Sequence, residues 1–239
     1  MDMARIQLAG DGGVDLVALQ DICEQADLPP GDICLIVGDP LLESRFQAVT
    51  VSRSFAPSAD NLCGLEEHLD KPWDAGISVG VTWARRQPEF PAYFAYLLGH
   101  ELGHATTILS RPRLAVFEDL VTRYLCLASE SKDWTAHQLP HEARYDQFGL
   151  AVAEHIFGWP RVAADIQNII AQNLSEDVPR LLWLLEAQRT RDFTGLDKEL
   201  AAFAEPYRDS FLQIWLGARQ TGQLRIADGV EDLGELWAG

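Results

Sequence analysis

Apolar and polar positions change period several times along the chain, and each change predicts an element. Ile6 and Leu8 open a short strand, and residues 14–28 take helical spacing through Leu16, Leu19, Ile22, Cys23 and Ala26 before Pro29-Pro30 stops them. The run Ile33-Cys34-Leu35-Ile36-Val37, closed by Gly38-Asp39-Pro40, reads as a buried strand. Residues 46–55 are β-branched and strand-like, and a short helix is expected within residues 61–70. In residues 76–83 Ile77, Val79 and Val81 alternate with Ser78, Gly80 and Thr82, which predicts the clearest strand of the chain. It arrives just before the helix over residues 88–110, where a sheet edge could add an extended peptide through main-chain hydrogen bonds, with an ordinary strand that binds nothing as the equal alternative.

From residue 88 onward the period is helical. Residues 88–110 are apolar almost all round, through Phe90, Phe94, Leu97, Leu98, Leu102 and Ile108, which predicts a buried helix. Residues 114–127 predict a second helix, residues 131–139 a polar loop, and residues 140–157 a third helix with Phe148, Val152 and Ile156 on one side. Past Gly158-Trp159-Pro160, helical stripes run through Val162, Ile166 and Ile169, through residues 181–185, and through Leu200, Phe203, Tyr207, Phe211 and Ile214. The expected fold class is therefore α+β, mostly helical. A small mixed sheet takes in residues 1–75, a two-helix core residues 76–160 and a helical region residues 161–239, together one compact unit.

Composition narrows the partners. At 239 residues, with 47% hydrophobic and 23% charged side chains, the chain is long enough to bury a core. The balance of 19 Lys+Arg against 36 Asp+Glu, a formal −17, repels nucleic acid and anionic membrane, so neither is expected as a partner. No apolar stretch is long enough to predict a membrane span, and none of the four cysteines forms a close pair. Free thiols in a reducing cytosol are the expectation. Gly10, Gly12, Gly13 and Gly38 fit no phosphate-binding pattern and read as turns.

The candidate chemistry sits in the helix over residues 88–110, where the only side chain of fixed charge between Glu89 and Arg111 is Glu101. In His100-Glu101-Leu102-Gly103-His104 the two imidazoles lie on successive turns and share one arc with the glutamate. Such a pair can hold one Zn²⁺ while Glu101 takes a proton from water. Gly99 and Gly103 cost about 1 kcal/mol each relative to Ala within a helix, which implies a close neighbour there.

A tetrahedral zinc needs a third protein ligand before water takes the open position. Glu118, Asp119, His137, His141, Glu142 and Asp146 are all candidates. Glu142 is preferred because Asp146, four residues on, shares its helix face and can accept the free ring N–H of His100 or His104; His141 or Glu118 comes next. Tyr93, Tyr96, Tyr145, His137 and His141 are candidate oxyanion donors, while His155 falls away from Glu142 round the helix.

The pairing of His100-Glu101-Leu102-Gly103-His104 with Glu142-Ala143-Arg144-Tyr145-Asp146-Gln147-Phe148-Gly149 resembles the zinc site of the gluzincins, the thermolysin-like metallopeptidases. It is similar also to the compact ImmA/IrrE-type intracellular peptidases. The likeness covers roughly residues 76–158, in about a dozen positions. It implies a zincin core in which His100, His104 and Glu142 bind one zinc per chain, Glu101 is the general base and Asp146 orients a ligand histidine. It further implies a cytoplasmic enzyme that hydrolyses a peptide or protein substrate. Two rivals are a catalytically silent zincin-fold regulatory or interaction module, and metal-dependent hydrolysis of some other bond.

Overall fold

The computed structural model describes residues 4–42, 47–53, 63–68, 72–112, 115, 118, 140–175 and 178–191. In order, the elements are β1 (Arg5–Asp11), α1 (Leu16–Gln25), β2 (Asp32–Asp39), β3 (Ala48–Ser52), a 3₁₀ turn (Cys63–His68), β4 (Ala75–Gly80), α2 (Val81–Arg86), α3 (Pro91–Ser110), α4 (Pro140–Phe157), α5 (Trp159–Ala171) and α6 (Val178–Thr190). The expected class holds: α+β, mostly helical, with one small mixed sheet.

The sheet runs β1-β2-β4-β3, with β1, β2 and β4 parallel and β3 antiparallel to β4. β4 is therefore an interior strand, and among the described residues the edge beside the helices is β3. β4 also stops at Gly80, three residues short of the expected end. There Gly80 donates its N–H to the Gln47 carbonyl, and among the described residues no strand pairs beyond it. The chain instead turns into α2, which carries Trp83 into the core, 4.8 Å from the Tyr93 ring. Both faces of β4 are buried, so Ser78, on the polar side of the alternation, needs a partner and donates to the buried Asp39.

β1 ends in the turn Gly12-Gly13, and Gly38 is the next-to-last residue of β2. A Cβ on Gly38 would lie 2.7 Å from the Gly12 Cα, and both residues have positive φ (+79° and +55°), so only glycine fits this crossing.

α3 lies in the centre of the molecule. Its core contacts include Ile77, Leu150, Ile166 and Ile169 from the sheet and the later helices. Phe90 offers no side-chain cap, and Pro91 opens the helix. The missing acceptor comes from α5, where Asp165 takes the N–H groups of Ala92 (2.9 Å) and Tyr93 (3.3 Å). A carboxylate at that end also meets the positive pole of the helix.

α3 packs most tightly on α4 because both helices carry glycine at the contact. A Cβ on Gly149 would lie 2.5 Å from the Tyr96 carbonyl oxygen and 2.7 Å from the His100 nitrogen, and one on Gly99 would lie 3.0 Å from the Gly149 Cα. Gly103 likewise leaves room for the Tyr145 ring, 3.0 Å from where its Cβ would be. The close neighbour implied by Gly99 and Gly103 is α4.

The helix expected over residues 114–127 lies outside the described residues except for Ala115 and Glu118, both helical. The polar loop over 131–139, with His137, and the last stripe, Leu200 to Ile214, lie outside them too. No helix of the described residues is long and apolar enough to cross a membrane.

Candidate metal centre

On α3, His100 and His104 face the same way, and α4 brings Glu142 against them. Nε2 of His100 lies 3.2 Å from Nε2 of His104 and 3.2 Å from Oε2 of Glu142, and the third side, from His104 to Glu142, is 3.6 Å. A tetrahedron with arms of about 2.0–2.1 Å has edges of about 3.3 Å, so these atoms form one face of a four-coordinate metal site. Among the described residues they are the group able to hold a metal ion. The donor set, two imidazole nitrogens and one carboxylate oxygen, suits a divalent ion of intermediate softness.

Asp146, one turn beyond Glu142, is buried and its Oδ1 accepts from Nδ1 of His100 at 2.8 Å. That bond leaves Nε2 of His100 to face the cluster and fixes the ring plane. Tyr96 donates to the same oxygen at 2.7 Å. Arg180 of α6 forks onto the carboxylate, with Nε 3.2 Å from Oδ2 and Nη2 on Oδ1.

These groups shift one another's proton affinity. Burial works against the His100 imidazolium, but the Asp146 and Glu142 carboxylates outweigh it and raise the pKa to about 9. Burial likewise opposes ionisation of Glu142, yet the two histidines hold it well below the usual carboxylate range. Asp146 is also lowered, by Arg180 and His100 against its burial. Any cation entering the cluster therefore competes with a proton on His100.

Glu101 is buried and points towards the edge strand. Thr50 of β3 donates to its Oε2 at 2.7 Å and lies 3.1 Å from its backbone carbonyl oxygen. One carboxylate oxygen is thus held by the sheet, beside the two imidazoles on the same helix arc.

The other candidates have different roles. Glu118 does not join the cluster: it accepts from the Tyr145 hydroxyl and pairs with Arg144. Tyr145 lays its ring on His104, centroids 3.8 Å apart, and its hydroxyl oxygen, with its own O–H directed to Glu118, accepts from the Thr107 hydroxyl 2.9 Å away. Tyr93 donates to Gln47 at 2.7 Å, and Tyr96 is taken up by Asp146. The three tyrosines thus brace the walls of the site. His155 is exposed on α4. Asp119, His137 and the side chain of His141 lie outside the described residues.

Thr50 and Arg180 are the site residues that the sequence pattern did not reveal. Thr50 looks like any β-branched strand residue. Arg180 carried a faint signal, a cation in the first turn of a helix, where the macrodipole disfavours it. Such a local conflict often marks a residue held for a tertiary purpose.

The chain matches no family model, no curated protein and no solved structure.

Proposed function

We propose that the protein is a zinc metallopeptidase of gluzincin type, with His100, His104 and Glu142 as ligands and Glu101 as general base. The observation that carries this reading is the triangle of 3.2, 3.2 and 3.6 Å between two imidazole nitrogens and one carboxylate oxygen, with Glu101 on the same helix arc. Zinc, when bound, supplies the Lewis acidity that makes water a nucleophile at neutral pH.

The chain's own residues supply the rest. Asp146 accepts the Nδ1–H of His100 in a hydrogen bond and so leaves Nε2 as the atom that faces a metal. Glu101, anchored through Oε2 to Thr50, keeps its other oxygen for the proton of the attacking water and delivers that proton to the departing amine. β3, the edge strand beside α3, gives an extended peptide a main-chain ladder along which to lie. Compartment follows the same reading: Cys23 is a free thiol, as in a reducing cytosol, and burial pushes its pKa up to about 12, which keeps it protonated.

The test is metal analysis of the purified protein together with mass-spectrometric readout of a peptide library. The expected result is one zinc per chain, defined cleavage products, and a Glu101→Gln variant that keeps zinc but loses about 10²–10⁴-fold in rate. Zinc binding without cleavage by the parent protein would instead favour a silent interaction module. Zinc held equally well by a His100→Ala/His104→Ala variant would refute the site.

A further inference from the structure

We propose that Arg180 is a positioning residue of the metal centre, acting through Asp146 on His100; this rests on the reading of the cluster as a zinc site. Arg180 lies 80 residues from His100 in sequence, beyond the segment that carries the ligands, and enters the site from α6 with a side chain only 15% exposed. Its Nη2 lies 3.2 Å from Nδ1 of His100 as well as on Asp146, so a double-mutant cycle is what separates a direct effect on the ring from one carried by the carboxylate. A guanidinium is costly to desolvate, and an apolar residue would pack α6 against the core without that cost. Its placement in the first turn of a helix adds a dipole penalty. What it gains is a two-point grip on Asp146, Nε on Oδ2 and Nη2 on Oδ1.

That grip has a geometric consequence. A carboxylate bonded by one oxygen can swivel about its Cβ–Cγ axis, whereas a planar fork on both oxygens fixes its plane. Oδ1 is the atom that receives Nδ1 of His100. Fixing it fixes the imidazole plane, and with it the direction in which Nε2 meets the corresponding atoms of His104 and Glu142.

Charge points the same way. Glu101, Glu142 and Asp146 are three buried carboxylates in one neighbourhood. A divalent cation offsets two of their charges and Arg180 the third, so that the loaded site is neutral. Lysine would supply the charge but not the fork. Tyr96, which donates to the same Asp146 oxygen, completes the support from α3.

The experiment is a double-mutant cycle on zinc affinity, measured by competition between the protein and a chromophoric chelator for zinc ion. The proteins are the parent, Arg180→Gln, Asp146→Asn, the double variant and Arg180→Lys. If Arg180 acts through Asp146, Arg180→Gln weakens zinc binding about tenfold, the order found for groups that orient a ligand histidine. Asp146→Asn weakens it at least as much, the double variant stays within about twofold of Asp146→Asn, and Arg180→Lys recovers part of the loss. A packing role alone would give Arg180→Gln the same loss in both backgrounds, and that result, or an Arg180→Gln variant binding zinc like the parent, overturns the proposal.

A second readout needs no metal. The Nδ1 proton of His100, sheltered by Asp146, should give a downfield proton resonance that is kept in the parent and shifted or lost in Arg180→Gln. A resonance that ignores Arg180 overturns the proposal. A parent that binds no zinc but shows a responsive resonance removes the zinc reading and leaves the positioning of His100 standing.

Discussion

Replacing Gly149 by alanine tests the link between helix packing and the metal site, because two effects of opposite sign meet there. In a helix free of neighbours the change would stabilise the protein by about 0.5–1 kcal/mol, since alanine loses less conformational freedom on folding. Here the new Cβ would sit 2.5 Å from the Tyr96 carbonyl oxygen and 2.7 Å from the His100 nitrogen, both backbone atoms of a buried helix that cannot swing aside. A carbon–oxygen contact relaxes at about 3.3 Å, so α3 and α4 must part by about 0.8 Å at this point. Overpacking of that kind costs about 1–3 kcal/mol, and the upper end applies where rigid backbone is the obstacle. The expected net effect is a loss of about 1–2 kcal/mol, read from urea unfolding of the metal-free protein.

The same displacement falls on the site. Gly149 touches His100 itself, and the bonds it would stretch, 2.8 Å to Asp146 and 3.2 Å to Glu142, join α3 to α4. An added 0.8 Å or so carries the first beyond hydrogen-bond range and spoils the triangle. Zinc affinity should therefore fall about tenfold or more, measured against the same chelator. A Gly149→Ala protein more stable than the parent, with zinc affinity intact, would show that the two helices are not held at glycine distance and that the ligand geometry does not depend on it.

Other expectations concern charge and capping. The His100 pKa is raised from 6.5 to about 9 by folding, so its ion pairs contribute stability that is fully present below about pH 6.5 and lost as pH rises through 9. Metal-free protein should lose about 1.4 kcal/mol per pH unit across that window, and saturating zinc should flatten the slope; an upward or level profile without metal would contradict the assignment. For the same reason zinc binding near pH 7 should release about one proton, seen as a dependence of the calorimetric heat on the buffer's ionisation enthalpy, and a heat independent of buffer would exclude a charged His100. Asp165→Ala should cost about 2 kcal/mol in unfolding free energy by removing the acceptor for Ala92 and Tyr93 N–H, with zinc affinity kept within about twofold, since His100 lies about 12 Å further along the helix. A large loss of zinc affinity in that variant would mean that the start of α3 governs the site more directly than its hydrogen bonds imply.

Some of this was written in local spacing and some was not. The residues of α3, the shared arc of His100, Glu101 and His104, and the shared face of Glu142 and Asp146 all follow from a 3.6-residue period, which covalent geometry imposes whatever the helix later meets. The strands over Ile33–Val37 and Ile77–Val79 follow from apolar runs in the same way, and Gly99 and Gly103 announced a close neighbour without saying which. Period and propensity cannot say which helix faces which, how strands are ordered, or where a ladder runs out of partners. That is why β4 lies inside the sheet and ends at Gly80, why Glu118 binds Tyr145 and Arg144 instead of joining the histidines, and why Arg180 reaches Asp146 from a distant helix. Those outcomes depend on complementary surfaces, such as Gly149 against Tyr96 and His100, and on the need of each buried charge for a partner, which is met only once the whole chain has closed around it.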